Sequence, residues 1–439
     1  MKLLALLFLP LIAMADTFVA PQSVCDPATT GAHFPRTLNL LRTSTAEHRN
    51  KVRILFYGQS ITEQEWSRET MENLRKLFPH AELEMENRAI GGHSSQILVK
   101  TAEADLYPFY PDLVIFHVYG DHNRYEDIIR RIRERTTAEV IMQTDHYGAN
   151  DPLVEEMDPA KLAPNQWNQW MNYSQLPTIA KKYGAELLDQ RNLWRKYLQD
   201  HKLEPKALLK DGVHLNENGC HLMAAIVTSA FSGQAKAADE SWKSLVTSQP
   251  VTPGAVVKLS FTGNRLDADV PVGNAHVLID GQSPAQLRGC WTFTKVSGYN
   301  GTNWPCLLQV QRGATVLQDE DWEITLQSAN DDYTDFQFTL MGSKTGPDGT
   351  GNAKEKFTSK SSRIIIAPDD WNLQFSKKVF TNPLQAPFTT IKFRSQLRAA
   401  ESTVLAQGLT NGPHTAEISG LPAMRAVRIF RPAFPETEQ

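Results

Sequence analysis

The chain has 439 residues, of which 41% are hydrophobic and 21% charged. That composition fits folded globular structure and excludes a low-complexity polymer, and the length calls for two or three domains. A net charge of −4 without a strong basic run argues against nucleic acid as a partner.

Residues 1–15 read as a signal peptide: Lys2, an apolar run from Leu3 to Ile12, and the small-x-small site Ala13-Met14-Ala15, with the mature chain starting at Asp16. The apolar run is too short to span a bilayer, and no cysteine marks a lipoprotein site, so no stable membrane insertion is expected. A secreted or periplasmic location follows. Residues 16–49 read as an N-terminal arm. Four cysteines in an exported chain allow disulfides. Cys290 and Cys306 share a β-rich region and are the favoured pair, whereas Cys220 reads as a buried thiol. No Cys-x-x-Cys or His-x-x-x-His spacing suggests a zinc site.

Residues 50–232 alternate strands and helices. Val52–Tyr57, Leu83–Asn87, Leu113–Val118, Val140–Thr144 and Glu186–Asp189 are short apolar runs, as expected of strands buried on both faces. Helical patterns lie between them: Glu65–Phe78, with Trp66, Thr70, Leu74 and Phe78 on one stripe, Tyr125–Arg135, and Asn216–Phe231. This alternation predicts a parallel sheet with helices on both faces, and ligands bind such sheets at the carboxyl ends of the strands. Residues 147–176, rich in Asn, Pro and Trp, read equally as a rim over the site or as a surface insertion.

Residues 233–252 are small and polar and read as a linker, at which the following domain should be separable. In residues 253–439 the pattern becomes all-β. Expected strands are Ala255–Phe261, His276–Ile279, Leu307–Val310, Trp322–Leu326, Phe336–Leu340, Arg363–Ile366, Thr390–Arg394, His414–Ile418 and Ala426–Phe430. Asp280-Gly281, Asp348-Gly349 and Asn411-Gly412-Pro413 read as turns, and a β-sandwich is the expected architecture. The run from Gly346 to Asn352 reads as a hairpin loop.

The residues that carry chemistry fall after the predicted strands. Ser60 lies in Tyr57-Gly58-Gln59-Ser60-Ile61-Thr62, and Asp211-Gly212-Val213-His214 places an acid and a histidine within one turn of chain. A histidine that takes the hydroxyl proton and a carboxylate that fixes its tautomer are the parts of an acyl-transfer site. Gly92, lacking a side chain, can bring its amide close to a developing oxyanion. Asp145, His146, His93 and Tyr57 also fall near the expected site, without an assigned role. Asn172-Tyr173-Ser174 and Asn300-Gly301-Thr302 are glycosylation sequons.

Four blocks in order give these residues a context: Gly58-Gln59-Ser60-Ile61, Asn87-Arg88-Ala89-Ile90-Gly91-Gly92, Gly120-Asp121-His122-Asn123 and Asp211-x-x-His214. Together they resemble the SGNH (GDSL-type) hydrolases over residues 50–232, about half of the chain. The resemblance implies an SGNH, flavodoxin-like sheet, with Ser60 as nucleophile, His214 as base and Asp211 as acid. The oxyanion hole it implies is made of Ser60, Gly92 and His122. Gln59 replaces the family's aspartate, and His122 stands where an asparagine is usual. Asn123 is the alternative third donor if the block shifts by one residue, and Asp121 is a candidate for fixing the His122 tautomer. The resemblance implies a secreted esterase that needs no metal or organic cofactor. Its expected substrate is an acylated small molecule or polysaccharide, with an acetylated glycan favoured by export and the appended β-domain. An inactive glycan-binding protein, a lipase and an acyltransferase of the same fold are the competing readings.

Overall fold

The structure, a computed structural model, describes residues 18–21, 24–273, 275–298, 303–375, 390–399 and 402–436. The expected signal peptide and the sequon at Asn300 lie outside the described residues. The first sheet is parallel: β1 (Lys51–Gly58), β2 (Glu82–Asn87), β3 (Leu113–His117), β4 (Glu139–Gln143) and β5 (Glu186–Leu188), ordered β2-β1-β3-β4-β5. Along β1, Val52, Ile54 and Phe56 enter one core, while Leu55 and Tyr57 enter the other. A strand covered on both faces has no polar side to alternate with, and this accounts for the continuous apolar runs.

Helices α1 (Pro35–Arg42), α2 (Ser60–Glu63), α3 (Glu65–Leu77), α4 (Ser95–Asp105), α5 (His122–Arg135), α6 (Trp167–Trp170), α7 (Leu176–Tyr183), α8 (Gln190–Asp200) and α9 (Glu217–Ala230) complete this half. The first core collects α1, α3, α8 and α9; the second collects α4, α5 and α7. The strand order reverses between β1 and β3, and a crevice opens outside the carboxyl ends of the strands at such a point. Ser60 follows β1 at that place.

The N-terminal arm belongs to this layer. Buried Glu139 accepts the backbone N–H groups of Arg36 (2.9 Å) and Thr37 (2.7 Å), satisfying two of the unpaired donors that open α1. Residues 147–176 are also anchored. Buried Arg191 of α8 reaches Asp151 (3.0 Å) and Glu155 (3.0 Å from Nε). Glu155 also accepts from Tyr147 (2.7 Å) and Tyr173 (2.8 Å). The sequon asparagine Asn172 is buried, and its amide donates to Asp145 (3.1 Å) and the Asn168 carbonyl (2.7 Å), so it presents no acceptor for a glycan.

The second half is antiparallel. Strands β6 (Val246–Pro250), β7 (Val257–Ala268), β8 (His276–Ile279), β9 (Trp291–Phe293), β10 (Gln311–Arg312), β11 (Glu320–Ala329), β12 (Phe336–Gly342) and β13 (Gly346–Asn352) come first. They are followed by β14 (Phe357–Thr358), β15 (Ile364–Ile366), β16 (Thr390–Leu397), β17 (Val404–Ser419) and β18 (Ala426–Phe430). The sheets run β13-β12-β11-β16-β9, β10-β15-β14 and β6-β18-β7-β17-β8. The first two close around Trp322, Phe338, Ile364 and Phe393, while the third has its own core around Leu266, Ile279 and Ile418.

Several expectations change here. The segment 233–252 is not wholly a linker, because β6 pairs with β18 as the edge of the third sheet. The run Gly346–Asn352 is strand β13 and not a hairpin loop: it pairs with β12, and a Cβ on Gly351 would lie 2.5 Å from the Phe338 ring. The glycines there make room for aromatic packing. Asn411-Gly412-Pro413 falls at a register shift within β17, so chain that reads as a turn is accommodated as a bulge. Leu307–Val310 forms a single bridge, Leu307 to Trp371, and no strand. Cys290 and Cys306 are not bonded to one another: both are free and buried, and they sit in different cores. Burial pushes both thiols up to about 12.

Arg191→Ala would leave Glu155 buried without its cation. Stability should fall by about 3–5 kcal/mol in urea denaturation, and a loss under about 1 kcal/mol would mean that Arg191 does not hold this segment.

Candidate active site

Strand β1 ends in Gly58, where a Cβ would lie 2.1 Å from the His117 carbonyl and 2.4 Å from Thr62 Oγ1. Only glycine lets β1 turn this closely against β3 and into α2. Gln59 leaves the strand in extended conformation, and its carbonyl accepts from Thr62 (2.8 Å) and Glu63 (3.1 Å). Ser60 therefore opens the short helix α2 at the sheet's carboxyl edge.

His214 reaches Ser60 from the far end of this half. Its Nε2 is 2.9 Å from Ser60 Oγ, and its Nδ1 is 2.9 Å from Asp211 Oδ2. The other carboxylate oxygen, Oδ1, accepts the backbone N–H groups of Val213 (2.8 Å) and His214 (2.7 Å). Those two amides, then the imidazole, hold Asp211 down at about 2. With Nδ1–H given to an ionised carboxylate, Nε2 is left with a lone pair for the serine proton.

Two further side chains hold the loop that carries this pair. Gln64, at the junction of α2 and α3, donates to the Leu215 carbonyl (2.9 Å) and accepts the Leu215 N–H (3.0 Å). It thus fastens the residue after His214 to the helix turn after Ser60. His146 Nε2 donates to the Val213 carbonyl at 2.7 Å. Burial pushes this imidazole down to about 4, so it is a neutral donor near pH 7. Asp145 lies inside, with Oδ1 3.2 Å from His117 Nε2. Neither Gln64 nor His146 was assignable from sequence, since a glutamine one turn after a serine looks like any surface glutamine.

The Gly91-Gly92 turn comes beside Ser60. A Cβ on Gly91 would lie 3.6 Å from Ser60 Cβ, and Gly92 has φ +73°, a conformation that favours glycine. His93 is buried, which lowers its pKa; its Nδ1 donates to the Gly91 carbonyl (2.9 Å), and its Nε2 accepts from Asn372 (3.2 Å). His122, by contrast, opens α5 with its ring edge-on to Trp170, the centroids 4.9 Å apart. Asp121, a candidate for fixing the His122 tautomer, caps α5 instead: its Oδ1 accepts the N–H groups of Asn123 and Arg124, both at 3.0 Å. Asn123 is exposed. Tyr57 turns into the core and hydrogen-bonds the Leu98 carbonyl (2.9 Å), away from the chemistry.

The fold resembles several solved structures. An acetylxylan esterase from Geobacillus stearothermophilus matches at 18% identity and a TM-score of 0.34, covering 43% of this chain and 97% of that chain. Another acetyl xylan esterase matches at 20% identity and a TM-score of 0.34, covering 41% and 99%. An α/β-hydrolase from the metagenome of Lake Arreo, Spain, matches at 17% identity and a TM-score of 0.34, covering 41% and 94%. No family model matches the sequence, and no curated protein matches it.

Two substitutions test this geometry in whatever reaction Ser60 supports. Gln64→Ala should lower kcat at least tenfold while the protein stays folded, because His214 loses its tether to the serine; unchanged kcat would remove Gln64 from the site. Asp211→Asn should lower kcat by about 10³-fold or more, since a carboxamide that donates to Nδ1 selects the wrong tautomer. Asp211 titrates at about 2. Its charge is lost only as pH falls through that value, so the wild-type rate profile should show no step from this carboxylate above roughly pH 3.

Proposed function

We propose that this protein is a serine esterase that hydrolyses carboxylic esters through an acyl-enzyme on Ser60. The carrying observation is the unbroken hydrogen-bond chain from Ser60 through His214 to Asp211. Ser60 Oγ attacks the ester carbonyl as Nε2 of His214 takes its proton. The imidazolium that forms is steadied by the Asp211 carboxylate, and its proton then goes to the leaving alcohol. Water repeats the sequence on the acyl-enzyme and frees the serine. The amides of Ser60 and Gly92, with the His122 imidazole as third donor, hold the oxyanion.

The substrate proposed is a short-chain, acetyl ester on a carbohydrate outside the cytoplasm. The signal-peptide pattern of residues 1–15 and the appended β-rich half support this reading. No helix among the described residues is long and apolar enough to cross a membrane.

Ser60→Ala should abolish hydrolysis of p-nitrophenyl acetate without loss of cooperative unfolding, because Ser60 opens α2 half-buried and its hydroxyl fills no core. Retained activity would exclude the serine mechanism. His122→Ala should lower kcat by roughly a hundredfold with KM little changed, and His122→Asn should recover part of the loss. A wild-type kcat in His122→Ala would move the third donor to Asn123, to be checked with Asn123→Ala.

A further inference from the structure

The β-rich half reaches the site directly. Two segments run side by side there: Leu308 N–H donates to the Asp370 carbonyl (2.7 Å), and Asn372 N–H to the Cys306 carbonyl (2.9 Å). They are anchored on α4 by Lys100, which reaches Asp369 Oδ2 (2.6 Å) and buried Asp370 Oδ1 (2.9 Å). At the ends of these segments stand Trp304 and Phe375, stacked with centroids 5.2 Å apart and ring planes 9° from parallel. His93 meets both rings edge-on, each at 5.2 Å. A Cβ on Gly92 would lie 3.1 Å from Trp304 Cη2 and 3.5 Å from Phe375 Cζ. Asn303 fixes the approach by donating to Glu63 (2.7 Å) and to the Ala89 carbonyl (2.9 Å).

A groove of different chemistry also opens at Ser60. It has a volume of about 950 Å³ and runs from Ser60 and His214 past Glu63, Arg68, Lys210 and Asn216. The leaving oxygen must lie near His214 Nε2, which returns its proton, so the alcohol of the ester occupies this polar groove, which His214 lines. The acyl chain is the remaining substituent of the carbonyl, and the aromatic surface beside the Gly91-Gly92 turn is that of Trp304 and Phe375.

Resting on the esterase reading, we infer that Trp304 and Phe375 of the β-rich half form an acyl-chain stop that limits the site to acetyl and similarly short acids on polyhydroxylated alcohols. The stop is specificity-determining and works by exclusion: with Trp304 in contact with Gly92, a longer chain has no path over the glycine. It also makes the β-rich half part of the catalytic pocket, and not only an appendage that carries the enzyme to its substrate.

The test is the ratio of kcat/KM for p-nitrophenyl butyrate over p-nitrophenyl acetate, measured on the full chain. Trp304→Ala should raise that ratio about tenfold or more, and Phe375→Ala should move it in the same direction. Trp304→Phe, which keeps a ring, should stay closer to wild type. If Trp304→Ala fails to unfold cooperatively, Trp304→Leu and Phe375→Ala give the same reading. A ratio that stays at the wild-type value in the folded variants, or an equal fall on both esters, would overturn the acyl stop. Wild-type protein with no Ser60-dependent activity on either ester would instead overturn the esterase reading on which the stop rests.

Discussion

A serine and a histidine separated by 154 positions form one hydrogen bond here, and the site depends on how that separation is closed. The closure is local and polar. Gln64 holds Leu215 by both its N–H and its carbonyl, so the histidine loop is fixed to the helix turn that begins at Ser60. Asp211 fixes the same loop from within, capping two of its amides with one oxygen and orienting the imidazole with the other. Parallel register does the rest, since β1 and β3 pair from Ile54–Leu113 to Gly58–His117 and end together at the edge where Ser60 emerges. Three side chains that are partly exposed, as Ser60, His214 and Asp211 are, cannot rely on packing to hold their geometry and use this set of short hydrogen bonds.

The Gly91-Gly92 turn is built differently, because part of its support comes from the other half of the chain. His93 holds the Gly91 carbonyl with one ring nitrogen and accepts from Asn372 with the other. Asn303 takes the Ala89 carbonyl. The turn is therefore braced from both halves, and its position relative to Ser60 depends on how the β-rich half is seated. Further contacts seat it: Tyr110 donates to Asn264 (2.6 Å), Asn264 to the Arg135 carbonyl (2.8 Å), and Gln407 to the Pro108 carbonyl (3.1 Å). A covalent linker is thus a small part of what joins the halves.

Much of the first half was legible in the sequence because its physics is local. Strands buried on both faces leave apolar runs, and α3 and α5 show their inner stripes. Ser60, Asp211 and His214, picked out by their residue types and spacing, lie within hydrogen-bond distance in turn, Ser60 to His214 and His214 to Asp211. What was not legible depends on tertiary placement. Gly346–Asn352 has the composition of a loop, but its glycines admit the Phe338 and Phe357 rings in a paired strand. Cys290 and Cys306 are near in sequence but belong to separate cores, which no spacing discloses. Asp121 looked free to orient His122 until its carboxylate proved to cap α5. Trp304 and Phe375 carry no motif, and only the seating of the two halves brings them to Gly92.

The most direct measurement is covalent capture of the nucleophile. The protein is treated with an organophosphonate ester, whose tetrahedral phosphorus imitates the attacked carbonyl, and the adduct is mapped by peptide mass spectrometry. A single adduct on Ser60, formed much more slowly in His214→Gln, is the result expected of a serine activated through His214. An adduct on another side chain, or a Ser60 adduct formed equally fast without the imidazole, would contradict it.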